Sequence, residues 1–279
     1  MNSFSLKNPT NNSRQRMPRK PLYTALASMI MLCGCTAEND APPHVQSQHT
    51  AESAQNNKQN STGMINPAHY QEFWLWGNIA HRTYLDQAKQ LYILQGEVAL
   101  LANENSQIDV QGMSPRQLDQ PIWIVFRSTH INWTTDDIQH ILRNLELWKK
   151  RGNQVVGLQV DFDSGSKNLY HYASFLKQLR QQLPAEYRLS ITGLLDWVNY
   201  QSPQTIDLLN QSIDEVVLQT YQQRHSIANS HAYLPQLKRL KVPFKIGLVE
   251  HGQMPNLQGI EQSAYFRGYI IFLLPEYNP

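Results

Sequence analysis

From about Phe73 onward, short apolar runs alternate with amphipathic stretches, and the hydrophobic period changes between them. Phe73–Ile79, Leu91–Val98 and Ile122–Arg127 are short and rich in β-branched and aromatic residues, the pattern of strands. No helical period separates the second from the third. The Asn103-Glu104-Asn105 turn and Ile108–Gln111 predict a hairpin there instead. After Arg127 the period lengthens. Thr134-Thr135-Asp136-Asp137 offers an N-cap and first-turn acids, and Ile138, Ile141, Leu142, Leu145 and Trp148 follow at helical spacing until Gly152. Val155–Asp163, Arg188–Gly193, Glu215–Tyr221, Phe244–Glu250 and Tyr269–Leu274 then read as strands. Helices are predicted over 169–183, stopped before Pro184, from Ser202-Pro203 onward, over 232–240 and, weakly, over 258–265. Trp74, Trp76, Trp123 and Trp148 fall on core positions.

Strand alternating with helix argues an α/β protein with a parallel sheet. Eight strands argue closure into a (β/α)₈ TIM-like barrel, short and irregular, with a hairpin in place of the helix after strand two. An open doubly wound sheet is the alternative, but no Gly-rich first turn supports dinucleotide binding.

The first 35 residues have a different character. Lys7, Arg14, Arg16, Arg19 and Lys20 form a cationic start without an acid, and the apolar run Leu22–Leu32 is too short to span a bilayer permanently. The run ends in Leu32-Cys33-Gly34-Cys35, which resembles a bacterial lipobox. That resemblance implies cleavage before Cys35 and a lipid on its thiol. Thr36 stands where an inner-membrane retention signal would place Asp, which favours the outer membrane, facing the periplasm. Thr36–Asn66, dominated by Asn, Gln, Ser, Ala, Pro and His, cannot pack a core and reads as a tether. The expected organisation is a signal over 1–35, a tether over 36–66 and a barrel over 67–279.

Composition then removes several classes of function. The only cysteines are Cys33 and Cys35, so no disulfide, Cys metal site or Cys nucleophile is expected in the domain. Five of the 24 basic residues lie in the signal. The 19 that remain face 22 acids, a net charge of about −3. No basic block supports nucleic-acid binding. The ten His residues show no ligand spacing, so neither a metal nor another cofactor is expected.

The candidate chemistry lies at the strand ends, where barrels of this class place their sites. Val155–Asp163 closes on two carboxylates, Asp161 and Asp163, which share a strand face with Gln159. Arg127, Trp197, Gln219, Tyr221 and Glu250 are expected around the same rim, with His251 the lesser of an adjacent pair. Aromatics, amides and acids together suit a sugar: rings stack on pyranose faces, and polar groups meet hydroxyls.

Gly157-Leu158-Gln159-Val160-Asp161-Phe162-Asp163 resembles the strand-four signature of family 18 glycoside hydrolases, the chitinase-like barrels. Arg188–Thr192, Val217–Tyr221 and Lys245–Leu248 resemble that family's next three strands. The resemblance implies Asp163 as general acid, in place of the family's longer Glu, and Asp161 as the carboxylate that orients the substrate. Gln159 replaces the family's first Asp, and the family's strand-eight Trp has no counterpart in Tyr269–Leu274. Most of Phe73–Leu274 is similar to a group of bacterial lipoproteins carrying a domain of unknown function numbered 3142, which implies a barrel but no established activity. The expected function is that of an O-glycosyl hydrolase-like lipoprotein acting on an envelope or exported polysaccharide. Two alternatives stay open: a degenerate barrel that binds glycan without cutting it, and a structural lipoprotein that docks an envelope protein.

Overall fold

The computed structural model describes residues 63–274, except Asn78, Ala102, 163–167, 195–201, 223–224, 227–240 and Gln258. All the described elements fall within the unit Asn57–Pro279. The expected signal, Cys35 and residues 36–62 of the expected tether lie outside the described residues, as do Asp163, Trp197 and the helix predicted over 232–240. The tether expected to run to Asn66 ends sooner: Ile65 is buried in the core and its N–H bonds the Gly252 carbonyl at 2.8 Å.

The strands in chain order are β1 (Glu72–Leu75), β2 (Gln90–Leu100), β3 (Ser106–Val110), β4 (Ile122–Ser128), β5 (Val155–Asp161), β6 (Arg188–Leu194), β7 (Glu215–Gln219), β8 (Tyr221–Gln222), β9 (His225–Ser226), β10 (Phe244–Val249) and β11 (Phe266–Phe272). Eight of them form a parallel ring in the order β1-β2-β4-β5-β6-β7-β10-β11. β1 pairs with both β2 and β11, which closes the barrel. Among the described residues the α-helices between strands are α1 (Thr135–Lys150), α2 (Leu169–Gln182) and α3 (Pro203–Ser212).

The predicted hairpin after strand two is present: β3 runs antiparallel to β2, pairing Gly96 with Val110 and Leu100 with Ser106. β1 covers that side of β2 only as far as Ile93, and β3 takes over beyond it. The caps read from sequence also form. Thr134 and Asp137 make a reciprocal capping box at the start of α1, and Ser202 caps α3 with Pro203 in the first turn.

Several boundaries differ from expectation. β1 stops at Leu75, so Trp76 stands beyond the strand and is half-buried, not core. β5 ends at Asp161 and β7 at Gln219. After Thr220, whose N–H and hydroxyl both bond the Gly247 carbonyl, Tyr221–Gln222 pairs with His225–Ser226 in a separate small hairpin. The last strand begins at Phe266, three residues before the expected start. Where a helix was expected near Gln258–Tyr265, the described residues form the 3₁₀ turn Ile260–Gln262.

Two cores result. The larger lies between barrel and helices: Ile138, Ile141, Leu145 and Trp148 of α1 and Leu169, Tyr172, Leu176 and Leu179 of α2 bury their apolar stripes against outward strand residues such as Ile124, Phe126 and Leu158. The smaller fills the lumen with Trp74, Tyr92, Leu94, Trp123, Val125, Val217 and Ile270. Tyr92 stacks on Trp123, with ring centres 5.8 Å apart. Gly247 leaves the room that Trp74 occupies, since a Cβ there would stand 2.9 Å from the indole.

The lumen also holds a connected polar chain. Trp74 Nε1 donates to Gln159 Oε1 at 2.6 Å, Gln159 Nε2 donates to the Ser190 hydroxyl at 2.9 Å, and Ser190 donates to Glu215 at 3.0 Å. Glu215 pairs with Lys245 at 3.0 Å, and Lys245 also reaches Glu72 at 2.5 Å, Gln90 at 3.0 Å and the Tyr92 hydroxyl at 2.8 Å. These pairings offset the cost of burying the polar groups in apolar surroundings.

Candidate functional site at the barrel mouth

Strand register decides which side chains meet at the C-terminal rim. On β4, Trp123 and Val125 face the lumen, so Arg127 continues that face out to the mouth. Arg127 is opposite Asp161 on β5 and Glu97 on β2. Glu97, Arg127 and Asp161 therefore stand side by side on three adjacent strands, facing the same way.

Glu97 was not among the residues expected from sequence, for a physical reason. The β2–β4 register slips between Leu94 and Gly96. Gln95 is the extra residue, and its Oε1 accepts from Trp148 Nε1 of α1 at 2.8 Å, on the outside of the barrel. The bulge reverses the alternation beyond it, so Glu97 turns to the mouth. The sequence signal that could have located it is Gly96 next to a polar residue inside a strand pattern.

Asp161 is buried, and its Oδ1 accepts from the Thr192 hydroxyl of β6 at 2.8 Å. Arg127 is exposed. Its guanidinium lies over Trp76, 5.9 Å from the ring centre, and makes no ion pair or hydrogen bond among the described residues. Trp76 meets Phe272 edge-on at 5.1 Å, and Phe272 stacks on Tyr221 at 5.8 Å. These contacts join Arg127, Trp76, Phe272 and Tyr221 in one belt, in which Trp76 and Phe272 had not been expected. Gln219 is half-buried at the end of β7.

Two expected residues are engaged elsewhere. Gln159 lies wholly inside the lumen, both ends of its amide held by Trp74 and Ser190. Glu250 is buried; Arg82 binds its Oε1, and its Oε2 accepts from the Leu274 N–H at 2.8 Å. Glu250 thereby clasps the segment after β1 to the end of β11. Its neighbour His251 is exposed, at a positive φ of 59°. Among the described residues no three His, Cys, Asp or Glu side chains gather as a metal site. A cleft of about 340 Å³ opens at the opposite end of the barrel, lined by residues including Glu72, Lys89, Tyr70 and Arg267, far from these strand ends.

The fold and rim define the chain as a closed (β/α)₈ barrel with a polar and aromatic mouth. Within it, residues 129–253 match the family described as a domain of unknown function, DUF3142. No curated protein matches the chain. Similar solved structures include the spore cortex-lytic enzyme SleL of Bacillus cereus, 16% identical over 64% of this chain and 50% of that one, with TM-score 0.42. This chain thus spans about half the length of that structure. A xylanase-A-amylase inhibitor protein, XAIP-III, is 13% identical over 72% of this chain and 91% of that one, with TM-score 0.47. The chitinase domain of the spore coat protein CotE from Clostridium difficile is 12% identical over 70% and 68%, with TM-score 0.44.

Proposed function

We propose that this chain is a lipid-anchored envelope protein that hydrolyses a glycosidic bond in an envelope or exported polysaccharide. The carrying observation is the set at the mouth: Asp161 closes β5 beside an exposed Arg127, a half-buried Gln219 and the Trp76–Phe272–Tyr221 belt. Sugars stack on aromatic faces, and their hydroxyls take hydrogen bonds from amides and acids. In this reading Asp163 protonates the leaving oxygen as its bond to the anomeric carbon breaks, and a water molecule supplies the oxygen that replaces it there. Asp161, held by Thr192, orients the sugar at the point of cleavage. Gln219, Tyr221 and Trp197 contact neighbouring hydroxyls and ring faces.

The test is release of new reducing ends from amino-sugar oligosaccharides and peptidoglycan by the full chain, beside Asp161→Asn and Asp163→Asn. Loss of turnover in both variants, with unchanged thermal midpoints, supports the assignment; full activity in Asp163→Asn removes it from the acid role. Anchoring is tested separately. Cys35→Ser should move the protein from the membrane to the soluble fraction, and an unchanged distribution rejects lipidation at Cys35.

One observation favours a second reading, glycan binding without hydrolysis. Gln159 stands where the resembling hydrolases carry an Asp, and its amide is locked between Trp74 and Ser190. It cannot share charge with Asp161. Binding of oligosaccharide that persists in both Asp→Asn variants, with no wild-type turnover, selects this reading.

A further inference from the structure

Arg127 is the feature of the mouth that the reading above leaves without a specific task. Its register neighbours are carboxylates on both sides, yet neither takes it. Asp161 turns an oxygen to Thr192, and Glu97 Oε2 accepts from the Gln111 amide at 3.4 Å. The guanidinium instead lies on Trp76, exposed, with no hydrogen-bond acceptor among the described residues. A guanidinium in cation–π contact with an indole leaves its N–H groups open to an oxyanion. The guanidinium stands at the end of the Trp76–Phe272–Tyr221 belt.

We propose, resting on the glycan reading above, that the ligand is an acidic glycan and that Arg127 pairs with a carboxylate substituent on a sugar that packs against the Trp76–Phe272–Tyr221 belt. The flanking carboxylates Glu97 and Asp161 shape that preference. They repel added negative charge, so the position disfavours a densely charged polyanion, and acceptance of a single carboxylate rests on direct pairing with the guanidinium. Outside residues 1–35 acids outnumber bases, 22 to 19, so acid preference must be local to this rim and not a property of overall charge.

The experiment measures calorimetric affinity of the full chain for a neutral N-acetylglucosamine tetramer, for its carboxymethylated and phosphorylated derivatives, and for single-stranded DNA. The wild type should bind the carboxymethylated tetramer about tenfold or more tighter than the neutral one. Arg127→Gln should bring that ratio close to one, and Arg127→Lys should keep part of it, because a point charge remains without the guanidinium. Trp76→Ala should weaken both ligands together. A wild-type ratio near one, a ratio that persists in Arg127→Gln, or tighter binding of DNA than of the tetramers overturns the inference while leaving the glycan reading intact. Stronger preference for the phosphorylated tetramer overturns the carboxylate assignment. Failure to bind any tetramer removes both. Acid-selective binding without cleavage upholds the inference and removes the hydrolase.

Discussion

Two buried tryptophans show how much one hydrogen bond decides. Trp74 and Trp123 are both almost wholly inside the lumen. Trp74 donates its indole N–H to Gln159, whereas Trp123 Nε1 has no acceptor among the described residues. Replacing either by Phe removes similar apolar volume. Only Trp74→Phe also strands a buried acceptor, at a cost of about 1–3 kcal/mol. Trp74→Phe should therefore lower the urea midpoint clearly more than Trp123→Phe; equal losses would show that the Trp74–Gln159 bond carries no net stability. The same contrast explains what could be read of Gln159 and Asp161. Alternation correctly put both on one face, but depth in the barrel separates them. Gln159 lies opposite Val125 in the packed lumen, and Asp161 lies opposite Arg127 at the mouth. Depth comes from register with neighbouring strands, which no single segment encodes.

At the scale of elements, local signals were the legible ones. The Thr134–Asp137 capping box, the Pro203 helix start and the hairpin after β2 all rest on residues close in sequence. Thr134→Ala should cost about 1 kcal/mol, a drop of roughly 2–4 °C in thermal midpoint for a domain of this size. No change in melting would mean α1 is held by packing alone. What stayed hidden depends on pairing. The Gln95 bulge exists because β2 must satisfy β1, β3 and β4 together, and it brought Glu97 to the rim against simple alternation. Gly157 is another such place. A Cβ there would meet the Arg188 carbonyl oxygen at 1.9 Å, a backbone atom that cannot swing aside. Gly157→Ala should exceed the ordinary range of about 0.5–3 kcal/mol for point changes and leave little soluble folded protein. Wild-type yield and melting would show that β5 and β6 can separate without penalty.

Across the barrel, Lys245 ties β10 to its neighbour β7 and to β1 and β2, which do not pair with it. From β10 it reaches Glu72 on β1, Gln90 and Tyr92 on β2 and Glu215 on β7, so one ammonium spans the ring. Burial raises the Glu72 carboxyl above its ordinary pKa, with Lys245 pulling it back down, and burial likewise pushes the Tyr92 phenol well up. Because Glu72 holds its proton more tightly folded than unfolded, its contribution to stability is present below the unfolded value. That contribution is lost as pH rises through the folded value. Lys245→Met removes the counter-charge and leaves two carboxylates in a low-dielectric lumen, at a cost of about 3–5 kcal/mol. The loss should appear as one cooperative transition, since the strands concerned lie around the whole ring, and acidification should recover part of it by protonating Glu72. Adding Glu72→Gln and Glu215→Gln should also restore stability, because a neutral lumen has no unpaired charge to bury. Near-wild-type stability of Lys245→Met, or a variant that melts in separate stages, would show that apolar packing of Trp74, Tyr92 and Trp123 closes the barrel without this tie.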